Sequence, residues 1–175
     1  MKKICETERL YLREFVEADA PFIVTLTNTD GWLKYIGDRN TKTEELAKIY
    51  LQNGPIQSYA SNGFGLWMVV LKANNIPIGM CGIVKRHPYP QPDIGFAFLP
   101  EYSGKGFATE SANATLWYAK TALGFTNIVA IVMPENTKSI QVLEKIGLQL
   151  KGSITLYEKE KPLLLFQSTL NHIEQ

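Results

Sequence analysis

The sequence has little that would tie it to a disulfide framework, a membrane or a polyanion. Two cysteines, Cys5 and Cys81, occur in 175 residues. They have no metal-ligand spacing, so neither a disulfide scaffold nor a bound metal is expected, and a reducing compartment is. Lys and Arg number 18 against 17 Asp and Glu, for a formal net charge of +1. There is no dense basic cluster, which excludes nucleic acid and anionic membranes as main partners, since both demand a basic surplus. No apolar run approaches a bilayer span. Charges break up "MKKICETERLYLREF", so it lacks the apolar centre of a signal peptide. Repeats, low-complexity tracts and linkers are missing too. The expectation is a cytoplasmic protein with a single domain over residues 1–175.

What is present is enough to build a core: 45% of the residues are hydrophobic and 20% charged, the balance of a globular domain. "RLYLREF" alternates Leu10 and Leu12 with Tyr11 and Arg13 and predicts a first strand. Asp19, Ala20 and Pro21 predict a helix start with an acid cap. "TKTEELAKIYLQN" predicts a second helix, opened by a Thr41…Glu44 capping-box spacing. "GLWMVVLK" and "IPIGMCGIVKR" predict two strands joined through "ANN", and "DIGFAFL" a third, ended by Pro100. Ala108, Ala112, Leu116, Ala119 and Leu123 form the stripe of a buried-face helix that Gly124 terminates. "NIVAIVM" predicts a strand buried on both faces. "NTKSIQVLEKIGL" predicts a helix with Ile140, Leu143 and Ile146 on one side and Gly147 at its end. "LQLKGSITLY" and "PLLLFQSTL" predict a closing hairpin around Glu158. The order of elements implies a mixed α/β (α+β) sandwich of about seven strands and about four helices, with the sheet in the middle.

The chemistry concentrates in "PEYSGKGFATES". A strand, a glycine-containing turn and a helix N-terminus present free N–H groups and a helix dipole that both favour an anion. Gly104 and Gly106 remove side chains that would hold a phosphate away, Lys105 adds charge, and Thr109 offers a hydroxyl. An ordinary strand-to-helix turn explains the same glycines. The phosphate-binding pattern G-x-x-x-x-G-K-[ST] has no match. A dinucleotide fingerprint would put Thr109 at its last small position and would follow a meander rather than the first strand of a parallel repeat.

"GFGLWMVVLKANNIPIGMCGIV", "PDIGFAFLPEYSGKGFATESA" and "PENTKSIQVLEKIGL", in that order, resemble the GNAT superfamily of acyl-CoA-dependent N-acetyltransferases. The closest branch is that of the ribosomal-protein N-terminal acetyltransferases, and the resemblance covers nearly the whole chain. It implies a mostly antiparallel mixed sheet with a splayed central pair of strands. It also implies acetyl-CoA as acyl donor, with no metal, and an amine-bearing acceptor, either a peptide N-terminus or a small molecule. The protein would be a monomer or a homodimer. The family's pyrophosphate loop falls on Ser103, Gly104, Lys105, Gly106, Phe107 and Ala108, with backbone amides running on to Thr109. Ser103 departs from the usual Gln or Arg and supplies no charge. The pantetheine arm would pair with the exposed backbone of Phe96, Ala97, Phe98 and Leu99, and a main-chain N–H near Leu99 would hold the oxyanion.

In similar proteins Asn136 contacts the pantetheine and Ser139 lies near the thioester sulfur, although both types also cap helices. The family's usual acid, a tyrosine, is replaced by Leu143, which makes Ser139 the candidate proton donor. Asp93 is a candidate base, against the reading of a solvated strand-end carboxylate. Glu158 and, less strongly, His87 are others. Trp32, Tyr35 and Ile36 either line a substrate cleft or pack a loop onto the domain. The implied activity is acetyl transfer to a primary amine by direct attack in a ternary complex, the acceptor being a protein N-terminal α-amine or a small amine such as a polyamine, amino sugar or amino acid. A non-catalytic CoA-binding module is the alternative that Ser103 and Leu143 leave open.

Overall fold

A computed structural model of the chain describes residues 2–86, 89–156 and 161–169. Eight strands form one sheet: β1 (Lys3–Glu6), β2 (Leu10–Arg13), β3 (Leu66–Leu71), β4 (Pro77–Lys85), β5 (Pro92–Phe98), β6 (Asn127–Val132), β7 (Gln149–Ile154) and β8 (Leu163–Thr169). Their spatial order is β1-β2-β3-β4-β5-β6-β8-β7. Every neighbouring pair is antiparallel except β5–β6. The strand beyond the expected seven is β1, which pairs with β2 through an irregular register at Lys3/Cys5. Its charged ends hide the two-residue apolar centre from any alternation test.

The helices are α1 (Ala20–Thr27), α2 (Asp30–Tyr35), α3 (Glu44–Leu51), α4 (Gln57–Asn62), α5 (Phe107–Thr121) and α6 (Thr137–Lys145). A wide π-type turn, Gln52–Ile56, carries Pro55 and joins α3 directly to α4. A proline cannot donate to the preceding turn, and a local widening absorbs the lost bond. Two expected caps are different. Thr43, not Thr41, accepts the Leu46 N–H at the start of α3, while the Thr41 hydroxyl is buried against that of Thr27 at 2.5 Å. Asp19 precedes α1, but its carboxylate forms a fork-to-fork pair with Arg13, both bonds at 2.8 Å.

Alternation along the strands builds two cores. Leu10, Leu12, Trp67, Val69, Cys81, Ile83, Ile94, Ile128 and Ala130 face α5 and α6, meeting Ala112, Leu116, Ala119 and Leu143. On the other face Met68, Val70, Met80 and Leu99 meet Ile23, Leu26, Trp32, Ala47 and Leu51 of α1–α3. Gly124 (φ +70) and Gly147 (φ +85) follow α5 and α6 in the left-handed conformation, as their sequence positions predict.

Candidate active site

The sheet opens at its centre. β4 and β5 pair continuously from Gly79↔Phe98 to Lys85↔Pro92, whereas the parallel pair β5–β6 is in register only at Asp93↔Val129. Beyond that vertex the strands part towards their C-terminal ends, leaving main-chain groups of β5 unpaired on one edge. Which groups these are follows from the ladder. The Leu99 N–H donates to the Ile78 carbonyl at 3.0 Å, and main-chain direction alternates along a strand. Ala97 and Leu99 therefore direct their main-chain groups to β4, while Phe96 and Phe98 direct theirs into the opening. This corrects two expectations: the Leu99 N–H is already engaged and cannot serve an oxyanion, and only Phe96 and Phe98 of the four named residues offer backbone to an extended ligand.

At the mouth of this opening stands the glycine turn. Pro100–Tyr102 form a single 3-10 turn, closed by the Ser103 N–H on the Pro100 carbonyl at 3.1 Å. Gly104 and Gly106 have φ of +74 and +83, a conformation glycine adopts without strain. Gly106 is the N-cap of α5 and no side chain caps that end, so the Phe107, Ala108 and Thr109 N–H groups have no helical partner. A Cβ placed on Gly104 would meet nothing within 4 Å. An uncapped fifteen-residue helix with open space before it fits a pyrophosphate.

A second charge at this loop, beside Lys105, escaped the sequence analysis. Arg9 reaches it from the β1–β2 turn: its Nη1 donates to the Lys105 carbonyl at 3.1 Å and its guanidinium lies 4.4 Å from the centre of the Phe107 ring. Its Nε donates to Glu110 Oε2 at 2.7 Å, and the Arg9 N–H and Thr7 hydroxyl both donate to Glu110 Oε1. Glu110 is held ionised by these bonds, against a burial that pushes the other way. Nothing local in "TERLYLR" signals this partnership, because the two segments meet only through the sheet. Lys105 Nζ stands 5.6 Å over the Tyr102 ring.

Asp93 is not a solvated strand-end carboxylate. It is 1% exposed, at the vertex of the splay. Oδ2 accepts from Arg86 Nε at 2.6 Å, and among the described residues no group meets the hydrogen-bond geometry to the buried Oδ1. Burial pushes its pKa up to about 6, with the Arg86 charge opposing. Across the opening, the Asn136 side chain accepts the Ser139 N–H at 3.2 Å and caps α6. Ser139 is half-buried one turn before Leu143, on the same helix face, and Leu143 is part of the core. Trp32 is buried, with Nε1 donating to the Gly37 carbonyl at 3.1 Å. It packs in the core rather than walling a cleft, whereas Tyr35 is half-buried and Ile36 is exposed. Glu158 and His87 lie outside the described residues. Burial pushes the Cys5 thiol up to about 12 and that of Cys81 up to about 11, so neither is a ready nucleophile.

The splay, the uncapped helix and the glycine turn lie together and make up the candidate site. The acetyltransferase (GNAT) domain matches residues 9–149; the chain belongs to the GNAT acetyltransferase family. An uncharacterized N-acetyltransferase, YnaD of Bacillus subtilis, is 32% identical over 149 residues, 83% of this chain and 82% of that protein. The spermidine N(1)-acetyltransferase of Vibrio cholerae is 27% identical over 169 residues, 91% of this chain and 94% of that protein. The ribosomal-protein-S5-alanine acetyltransferase of Vibrio fischeri shares the fold, with a TM-score of 0.81 at 22% identity over 100% of both chains. The protein is thus an N-acetyltransferase of this family, and among the described residues no helix is long and apolar enough to cross a membrane.

Proposed function

We propose that this chain passes an acetyl group from acetyl-CoA directly to the α-amine of a protein or peptide N-terminus in a ternary complex. The observation that carries the reading is the open β5–β6 pair ending in an uncapped helix N-terminus. The Gly104–Thr109 amides hold the pyrophosphate, with Arg9 and Lys105 adjacent. The Phe96 and Phe98 backbones pair with the pantetheine, and a β5 N–H facing the opening, that of Phe98, holds the oxyanion. Asn136 and Ser139 border the opposite side, where the Ser139 hydroxyl supplies the proton for the leaving thiolate. With the Cys81 thiol buried, the Cys5 thiol half-buried and both held protonated, direct attack is favoured over an acyl-enzyme.

The base is Asp93. An α-amine has a pKa near 8 and a lysine amine near 10.4, so a base titrating at about 6 lies closer to the α-amine. Removing a proton from an α-amine asks less of the site than removing one from a lysine or a polyamine. Thiol release from acetyl-CoA with a panel of free-N-terminus peptides and small amines tests the reading. Peptide-dependent release is expected. Binding of acetyl-CoA with no release across the panel would favour a non-catalytic CoA-binding module.

A further inference from the structure

Resting on the acetyltransferase reading, we propose that the acceptor is an amine whose non-reacting part is anionic, and that Arg39 and Lys85 select it along a groove beside α3 and α4. Two adjoining cavities, each of about 340 Å³, share Tyr50, Asn53 and Gly54. Arg39 lines one cavity, and Lys85 the other together with Gln57 and Ser61. Among the described residues no Asp or Glu lines either. Among the described residues neither Arg39 nor Lys85 has a hydrogen bond or an ion pair, whereas Arg9, Arg13 and Arg86 are all paired with carboxylates. The acid beside Arg39, Asp38, faces Lys42 and accepts the Asn40 N–H.

The groove ends against the reacting strand. Val84, on its wall, is in register with Asp93. Leu66 Cδ2 and Val84 Cγ2 stand 3.5 and 3.7 Å from where a Gly95 Cβ would lie. A ligand in this groove thus extends away from the middle of β5 over amides, hydroxyls and two uncompensated cations. A polyamine there would bring its spare ammonium groups to like charges and find no carboxylate among the described lining, a repulsion that discriminates as much as any attraction. A carboxylate-bearing acceptor supplies the charge that Arg39 and Lys85 lack. The V. cholerae spermidine N(1)-acetyltransferase is thereby separated from this chain by acceptor charge.

Initial rates of thiol release with acetyl-CoA are compared for a free-N-terminus peptide bearing two carboxylate side chains, the same peptide with both as amides, and spermidine. The acidic peptide is expected to have the lowest KM, by roughly fivefold to tenfold over its amide twin at low ionic strength, narrowing in high salt. In the exposed double variant R39E/K85E the ratio of the two peptides should invert. Spermidine turned over in preference to the acidic peptide, equal KM values for the two peptides, or a ratio indifferent to the double variant overturns the inference while leaving acetyl transfer standing. Failure to bind acetyl-CoA in calorimetry overturns the reading beneath it.

Discussion

Arg9 and Glu110 are separated by 101 positions in the chain, yet they meet at 2.6 Å beside the glycine turn. The pair ties the β1–β2 turn to the first turn of α5, and Arg9 Nη1 continues to the Lys105 carbonyl. It also answers how a loop with Ser103 at its charged position acquires a guanidinium. Glu110→Gln and Arg9→Met should each raise the Kd for acetyl-CoA by roughly fivefold to thirtyfold, the equivalent of about 1–2 kcal/mol. Calorimetry reads this directly, and an unchanged Kd for both variants would remove the pair from the binding machinery.

Gly106 tests the phosphate cradle more severely. At φ +83, with Arg9 Nη2 only 3.3 Å from a prospective Cβ, any side chain there is strained. Gly106→Ala should lose stability by about 1–2 kcal/mol. Gly106→Glu adds an anion at the helix N-terminus and should abolish measurable acetyl-CoA binding while circular dichroism still reports the fold.

Asp93 sets a pH dependence whose two signs are opposite. As a base it must be ionised, so kcat/KM should rise through about pH 6. Arg86→Met removes the charge that opposes burial and should move this acid limb to higher pH, with Arg86→Lys intermediate. For stability, the folded-state value is raised from 3.8 to about 6. The folded chain therefore binds the extra proton in that window, and this group's contribution falls as pH rises through it. Asp93→Asn should flatten both dependences, readable in rate profiles and in denaturant midpoints across pH 4–7.

Gly82 and Gly95 face each other across β4–β5 and should respond differently to alanine. A Cβ on Gly82 would lie 2.1 Å from the Gly65 carbonyl oxygen, a backbone atom that cannot swing away, while on Gly95 the nearest atom is 3.5 Å off. Gly82→Ala should cost about 1–3 kcal/mol or more in urea unfolding, and Gly95→Ala well under that. Gly95→Ala narrows the end of the acceptor groove, so its effect should appear in KM for the acceptor.

Local pattern carried much of this far. The alternation of Leu10 and Leu12, the α5 stripe, and the glycines after α5 and α6 depend on near neighbours and are legible in a window of a few residues. The same holds for "SGKGFAT", whose glycines and following helix are contiguous. Thr41 was misread as a cap because the capping spacing is necessary but not sufficient: its hydroxyl is drawn inward to Thr27, a partner on another element. Trp32 shows no helical period because α2 is only six residues long and Trp32 is its one buried side chain.

By itself the sequence determined the family, the layered α/β plan and the position of the glycine turn before α5, since these rest on local periodicity, turn chemistry and contiguous motifs. Only the tertiary structure decided which β5 main-chain groups face the splay, because that depends on pairing with β4. It alone brought Arg9 to the loop, buried Asp93 against Arg86 at the vertex, and left Arg39 and Lys85 without a partner among the described residues along one groove. Each of these is a meeting of charges or backbones far apart in the chain, and hydrogen-bond direction and desolvation exist only once the sheet has assembled.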